Sequence, residues 1–180
     1  MKKVLLIIFL LFSIVTPSMC NKDNAYASYH RESMIRKAVI ARDLKQLECL
    51  SDNIYHESKG EPHKGRVAVG FVTVNRMKDQ NFPDSICEVV KQKEKKTCQF
   101  SWYCQPSKKK HSKKPITKKL KDIDYIKSVL VAEMVMTKQI QDPSKGSLYF
   151  HANYVKVKRK GKVVKAKIGD HIFYNVKKKS

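Results

Sequence analysis

The sequence predicts an α+β domain, mainly α, with helices around one carboxylate and a β-hairpin at the C-terminal end. Three observations carry this. Apolar residues recur at helical spacing at Leu44, Leu47, Leu50 and Ile54, and again at Val67, Phe71 and Val74 after a Gly60-Glu61-Pro62 break. A third helical pattern, Ile123, Ile126, Leu130 and Met134, occupies residues 121–140. Beyond Leu148 the period falls to two. Leu148-Tyr149-Phe150-His151 starts an extended segment, Tyr154–Lys158 alternates, Arg159–Lys162 turns and 163–168 returns, a hairpin with one apolar and one basic face. Ile172-Phe173-Tyr174 supplies a last strand.

In chain order, Lys2 and Lys3 precede an apolar run from Val4 to Val15, and Ala25-Tyr26-Ala27 offers a small-x-small cleavage site. Residues 1–27 therefore read as a secretory signal. The run is short for a bilayer span, so no stable membrane span is expected once it is removed. Ser18-Met19 makes a poor lipobox before Cys20, which disfavours a lipid anchor. Residues 28–43 carry Met34, Ile35, Ala38 and Val39 at helical spacing, as a helix or lead-in. The helix over 44–57 delivers Glu57. Gly60 ends it, and Pro62 suits the first turn of the next helix, which runs to Met77. Gly65, Ala68 and Gly70 let a neighbouring backbone come close, so this helix is expected to be the most buried. Asn75 and Arg76 at its end read as structural hydrogen-bonding residues. Asn81–Asp84 is a turn, and Ser85-Ile86-Cys87-Glu88 fits a capping box that opens a short helix to Lys91. Residues 92–97 are polar and expected as loop. Residues 105–121 are lysine-dense and expected as an exposed loop. Asp142–Gly146 is turn chemistry. Residues 44–175 are expected to form one domain, with 176–180 a basic tail.

The net charge is +22, and +20 without residues 1–27. Such a surface suits nucleic acid, anionic lipid or an anionic wall polymer. Export argues against nucleic acid; anionic wall polymers are the expected partners, and the plainer reading is a basic surface that only keeps the chain soluble. Four cysteines remain after residue 27, and an even number in an exported chain suggests two disulfides. Of the three pairings, the favoured one closes a short loop, Cys98–Cys104, and leaves Cys49–Cys87 to tie the helix before Glu57 to the helix after Pro83. No Cys-x2-Cys spacing occurs, so a cysteine zinc site is disfavoured, and no cofactor is expected.

Glu57 sits where one helix stops and another starts. A carboxylate half-buried at such a junction keeps its proton near neutrality, which general-acid catalysis requires. The plainer alternative is a glutamate that caps a turn and faces solvent.

Ile54–Pro62, Gly65–Gly70 and Asn75-Arg76 resemble the SleB/CwlJ cell wall hydrolase family, which includes spore-cortex lytic enzymes and phage and bacterial relatives. Further matches follow in order: Phe82–Cys87, Cys98–Cys104, Leu148–His151 and Ile168–Tyr174. The resemblance spans residues 44–175. It departs mildly at Ser58-Lys59, where relatives often carry Ala-Arg. It implies a lysozyme-like fold and cleavage of the peptidoglycan glycan strand between N-acetylmuramic acid and N-acetylglucosamine, with Glu57 matching the catalytic acid. It also places Gln99 and Ser101 near the cleft. Trp102 reads equally as a sugar platform or a core plug. His151 and His171 are expected to line the cleft, and Tyr149 and Tyr174 to contact substrate or hold Glu57.

Hydrolysing glycosidases need two carboxylates, about 5–5.5 Å or about 6.5–9.5 Å apart. Glu61, between Gly60 and Pro62, reads as a structural turn residue. Asp52 is turned about 140° around the helix from Glu57. One acid without a partner fits a lytic transglycosylase. The alternatives are a zinc-dependent N-acetylmuramoyl-L-alanine amidase built on His63, His151, His171 and Asp170, and a non-catalytic binder of anionic wall polymer. His56-Glu57 followed by His63 does not make His-Glu-x-x-His, which disfavours a zinc protease.

Overall fold

A computed structural model of the chain describes residues 22–107 and 113–177, with side chains from residue 28 onward. The apolar run of the expected signal, Cys20, and the last residues of the basic tail lie outside the described residues. The chain divides into two compact units, Met1–Val39 and Ile40–Ser180. In the first, the described residues are helical and, from residue 28, exposed apart from the half-buried Ser33, with Arg36 paired to Glu32 one turn before it. The second holds every other element. Among the described residues no helix is long and apolar enough to cross a membrane.

Helix α1 is continuous over Lys22–Ser58, so the expected lead-in and the helix carrying Glu57 are one element. Nothing in 28–44 breaks it, since neither Gly nor Pro occurs there. Gly60, at φ 89°, takes the left-handed position that ends a helix. Helix α2 covers His63–Lys78 with Pro62 as its N-cap, and every residue from Gly65 to Val74 is buried, as expected. A Cβ on Gly70 would stand 3.0 Å from Ile54 Cδ1, so this glycine lets α1 and α2 close on each other. Helix α3, Ile86–Lys91, starts at Ser85, whose hydroxyl accepts from the Glu88 amide; the Glu88 carboxylate takes the serine hydroxyl rather than a backbone amide.

The expected loop at 92–97 is instead a small ribbon, β1 (Lys93–Glu94) against β2 (Thr97–Cys98). A 3₁₀ turn follows at Ser101–Cys104. The lysine-dense stretch holds a short helix α4, Ile116–Lys119, and helix α5 spans Ile123–Met136. Lys119 is 1% exposed, against the expectation of a wholly solvated segment. Its Nζ donates to Glu48 Oε1 at 2.9 Å and to Asp52 Oδ1 and Oδ2 at 2.9 and 3.1 Å. Glu48 and Asp52 share one face of α1 a turn apart, and two carboxylates so placed call for a cation.

Strands β3 (Tyr149–Ala152), β4 (Lys162–Ile168) and β5 (His171–Val176) form an antiparallel sheet in the order β3-β5-β4. The hairpin therefore joins β4 to β5 through Gly169-Asp170, and 154–158 is not a strand. Strand β5 pairs with β3 on one edge and with β4 on the other, so 154–158 does not pair with it. Gly169 has φ 54°, the left-handed region that favours glycine, and a Cβ there would displace the Glu61 carboxylate that packs on this turn.

The core is helical where Leu50, Ile54, Val67, Phe71, Trp102, Val131 and Val135 meet. A second cluster joins α2 to the sheet through Ala68, Val69, Val72, Ile168 and Phe173. Both expected disulfides are present, Cys49–Cys87 and Cys98–Cys104.

Candidate active site

Two buried polar groups, Asn53 and Arg76, anchor the elements around the last turn of α1. Asn53 is fully buried; its Nδ2 donates to Thr73 Oγ1 at 2.9 Å, and its Oδ1 accepts from Trp102 Nε1 at 2.9 Å. One side chain thus joins α1, α2 and the 3₁₀ turn. Glu57 lies one helical turn further on the same face and is half-buried.

Arg76, 3% exposed, projects from the face of α2 that also carries Thr73. Its Nε donates to the Leu148 carbonyl at 2.7 Å, fixing the start of β3. Gln99, though exposed, turns its side-chain oxygen to Arg76 Nη1 and Nη2, at 3.2 and 3.1 Å. The guanidinium lies 4.9 Å from the Phe100 ring centre and 5.6 Å from that of Tyr149. Burial pulls its pKa down to about 10, against the electrostatic pull of Tyr149, Glu57 and Tyr174. It stays a cation at neutral pH, within electrostatic reach of the Glu57 carboxylate.

The entry to β3 is tied down separately. Asp142 accepts from the Ser144 and Gly146 amides and from Asn75 Nδ2. Asn175 closes the same turn, accepting from the Leu148 amide and donating to the Gly146 carbonyl. Tyr149 is therefore held at the start of its strand. It stacks on Tyr174 with ring centres 5.5 Å apart, and Tyr174 is 4% exposed, so Tyr149 forms the wall and Tyr174 backs it.

Pairing of Tyr149 with Tyr174 and of His151 with Ile172 puts Tyr149, His151 and Tyr174 on one face of the sheet. His151 Nδ1 faces the Ala152 carbonyl at 2.8 Å, and Nε2 faces Lys162 Nζ at 2.6 Å. A lysine ammonium only donates, so Nε2 accepts and the proton sits on Nδ1. His171 pairs with Ala152 and lies on the opposite face, with Phe150 and Phe173. The expectation that both histidines line one cleft is corrected for His171. Its Nδ1 stands 3.5 Å from Glu61 Oε1. The zinc-amidase ligand set is lost with it, since imidazoles on opposite faces of a sheet cannot close on one ion. Among the described residues no group of three or more His, Cys, Asp or Glu side chains is placed to hold a metal.

Trp102 is also corrected. It is 2% exposed, stacks on His56 at 4.5 Å and spends its N–H on Asn53, so its ring is a core plug rather than a sugar platform. Ser101 is exposed at the start of the 3₁₀ turn. Glu61 accepts from the Asp170 amide at 3.2 and 3.3 Å, and Asp52 is bound to Lys119. Arg76 makes the structural hydrogen bond that the sequence predicts for it, and that expectation does not extend to its place within electrostatic reach of Glu57. In the sequence Arg159 and Lys162, set against Tyr149 and Tyr174, read only as part of a basic turn.

A family model described as Cell Wall Hydrolase matches residues 60–174, and Glu57 lies just ahead of that span. Spore cortex-lytic enzymes of Oceanobacillus iheyensis and Halalkalibacterium halodurans are each 36% identical over 44 residues. That stretch is 24% of this chain and 16% and 13% of theirs, so the match covers under a fifth of these curated relatives. The fold is similar to the crystal structure of the catalytic domain of the Bacillus cereus SleB protein, with TM-score 0.52 and 23% identity over 72% of this chain and 89% of that one. It is equally similar to the catalytic domain of the germination-specific lytic transglycosylase SleB from Bacillus anthracis, with TM-score 0.52 and 24% identity over 72% and 93%.

Proposed function

The chain belongs to the cell wall hydrolase family, and from that premise we propose that it cleaves the glycan strand of peptidoglycan between N-acetylmuramic acid and N-acetylglucosamine, as a lytic transglycosylase with Glu57 as its acid and base. It acts at the wall, outside the membrane. One observation carries the single-acid reading. Glu57 is half-buried within electrostatic reach of Arg76, which packs near Tyr149, while Asp52 and Glu61 are each bound elsewhere.

Protonated Glu57 gives its proton to the glycosidic oxygen as the bond from the muramic anomeric carbon breaks. The N-acetylglucosamine side leaves with a free hydroxyl. Glu57, now a carboxylate, takes the proton of the muramic 6-hydroxyl as that oxygen attacks the anomeric carbon. A 1,6-anhydro ring closes and Glu57 is protonated again. No water is consumed, so no second carboxylate is required to activate one. Arg76 offsets the negative charge on Glu57 between the two steps. Tyr149 offers its hydroxyl and ring edge to the sugar.

Glu57→Gln tests this directly. The amide keeps the shape and cannot donate the proton, so clearing of cell-wall suspensions should fall at least about 100-fold with the thermal midpoint unchanged. Retained clearing would defeat the proposal. Retained polymer binding with no clearing by either protein would leave a wall binder.

A further inference from the structure

We propose that Arg159 and Lys162 form a carboxylate-binding subsite beside Glu57, which takes the free acid groups of the peptide stem on the muramic residue being cleaved. The proposal rests on the glycan-cleavage reading and adds to it a substrate class: strands that still carry anionic stems.

Arg159 is exposed, and its guanidinium lies 4.5 Å from the ring centre of Tyr149. Arg76 packs near that same ring, at 5.6 Å. Lys162 Nζ lies 4.7 Å from the Tyr174 ring centre and 2.6 Å from His151 Nε2. Tyr149 and Tyr174 stack, so each of the two cations is set against one ring of a single aromatic pair, and Arg159 and Glu57 are both within electrostatic reach of Arg76. A cation over a ring is held in direction without being neutralised. The same is true of a lysine donating to a neutral imidazole, since its charge and two further protons remain. Among the described residues neither Arg159 nor Lys162 pairs with a carboxylate. Residues 155–168 carry seven Lys or Arg and no Asp or Glu. A solvated lysine surface needs none of this ordering. Two oriented charges beside a sugar-facing tyrosine suit an anion carried by the sugar, and a planar guanidinium suits a carboxylate.

The test compares glycan strands bearing stem peptides with free carboxylates against the same strands after carboxyl amidation. Binding is measured with Glu57→Gln protein, and cleavage with the parent. Adding Arg159→Ala and Lys162→Gln together should weaken binding of the carboxylated strands about tenfold and leave the amidated strands unaffected, the size expected for one charge-assisted hydrogen bond. In the parent, kcat/KM should favour carboxylated strands by a similar factor, and the double variant should lose that preference. Equal losses on both substrates, or a preference that survives the double variant, would overturn the proposal. Excess poly(glycerol phosphate) separates a carboxylate site from general attraction to polyanions. Preference for carboxylated strands should persist in its presence, and its disappearance would overturn the assignment. If the parent binds as expected and cleaves neither substrate, the cleavage reading fails while the subsite stands.

Discussion

Asn53 and Arg76 place Glu57 more than any property of Glu57 itself. Each is a buried polar group that bridges elements, and each leaves partners unsatisfied when shortened. Arg76→Lys keeps the charge but loses the fork that spans the Leu148 carbonyl and Gln99. It should destabilise the fold by about 1–3 kcal/mol and reduce kcat. Unchanged stability and kcat would show that Arg76 does not position the site. Trp102→Phe separates the two readings of that residue. Losing the N–H leaves Asn53 Oδ1 bare, so stability should fall by about 1–3 kcal/mol while KM for wall substrate holds. A rise in KM at unchanged stability would restore the sugar platform. Glu57, Gln99 and Tyr149 stood out in the sequence as candidates because each sits in a short motif. The burial of Trp102 was not legible, because its partner Asn53 lies 49 residues away.

At the scale of elements, two contacts hold the helices and the sheet around the site, and both can be read by titration or replacement. Lys119 seals α4 against α1. Lys119→Met strands Asp52 as a buried, unpaired carboxylate and should cost about 3–5 kcal/mol. Replacing Asp52 by Leu as well should recover most of that, and a double variant no better than the single would contradict the pairing. The turn between β4 and β5 is locked to the end of α1 through Glu61. Burial lowers the pKa of His171, against the opposing pull of Glu61 and Asp170. Its folded value lies below its unfolded one, so the neutral ring's contribution is complete above about pH 6.5 and is lost as pH falls through the folded value. The thermal midpoint of the parent should fall more steeply below about pH 6.5 than that of His171→Asn; equal slopes would contradict this. Helical periods revealed α2 and α5, and the pattern around Ser85 revealed α3. The hairpin was misplaced because alternation in 154–158 and in 163–168 looks alike in one dimension. What decides between them is which strand already occupies each edge of β5.

Across the whole molecule, the cysteines and the charge act together. The Cys49–Cys87 bridge closes a 38-residue separation and spans the Glu57 junction. Its loss should lower stability by about 2–4 kcal/mol, read as a shift in denaturant midpoint between the parent and Cys49→Ala/Cys87→Ala. No shift would mean that the helical core alone holds the junction. Composition made the charge plain, but it averaged over lysines with opposite fates, Lys119 buried in the core and Lys162 set on the sheet against His151 and Tyr174. Both lie in basic stretches, and only the fold tells them apart. The central claim is that one acid, Glu57, cleaves the glycan without a water nucleophile. Mass spectrometry of fragments released from purified peptidoglycan in ¹⁸O-labelled water tests it most directly. The account predicts 1,6-anhydro-muropeptides without label, absent with Glu57→Gln. Labelled reducing ends, or free stem peptides, would contradict it.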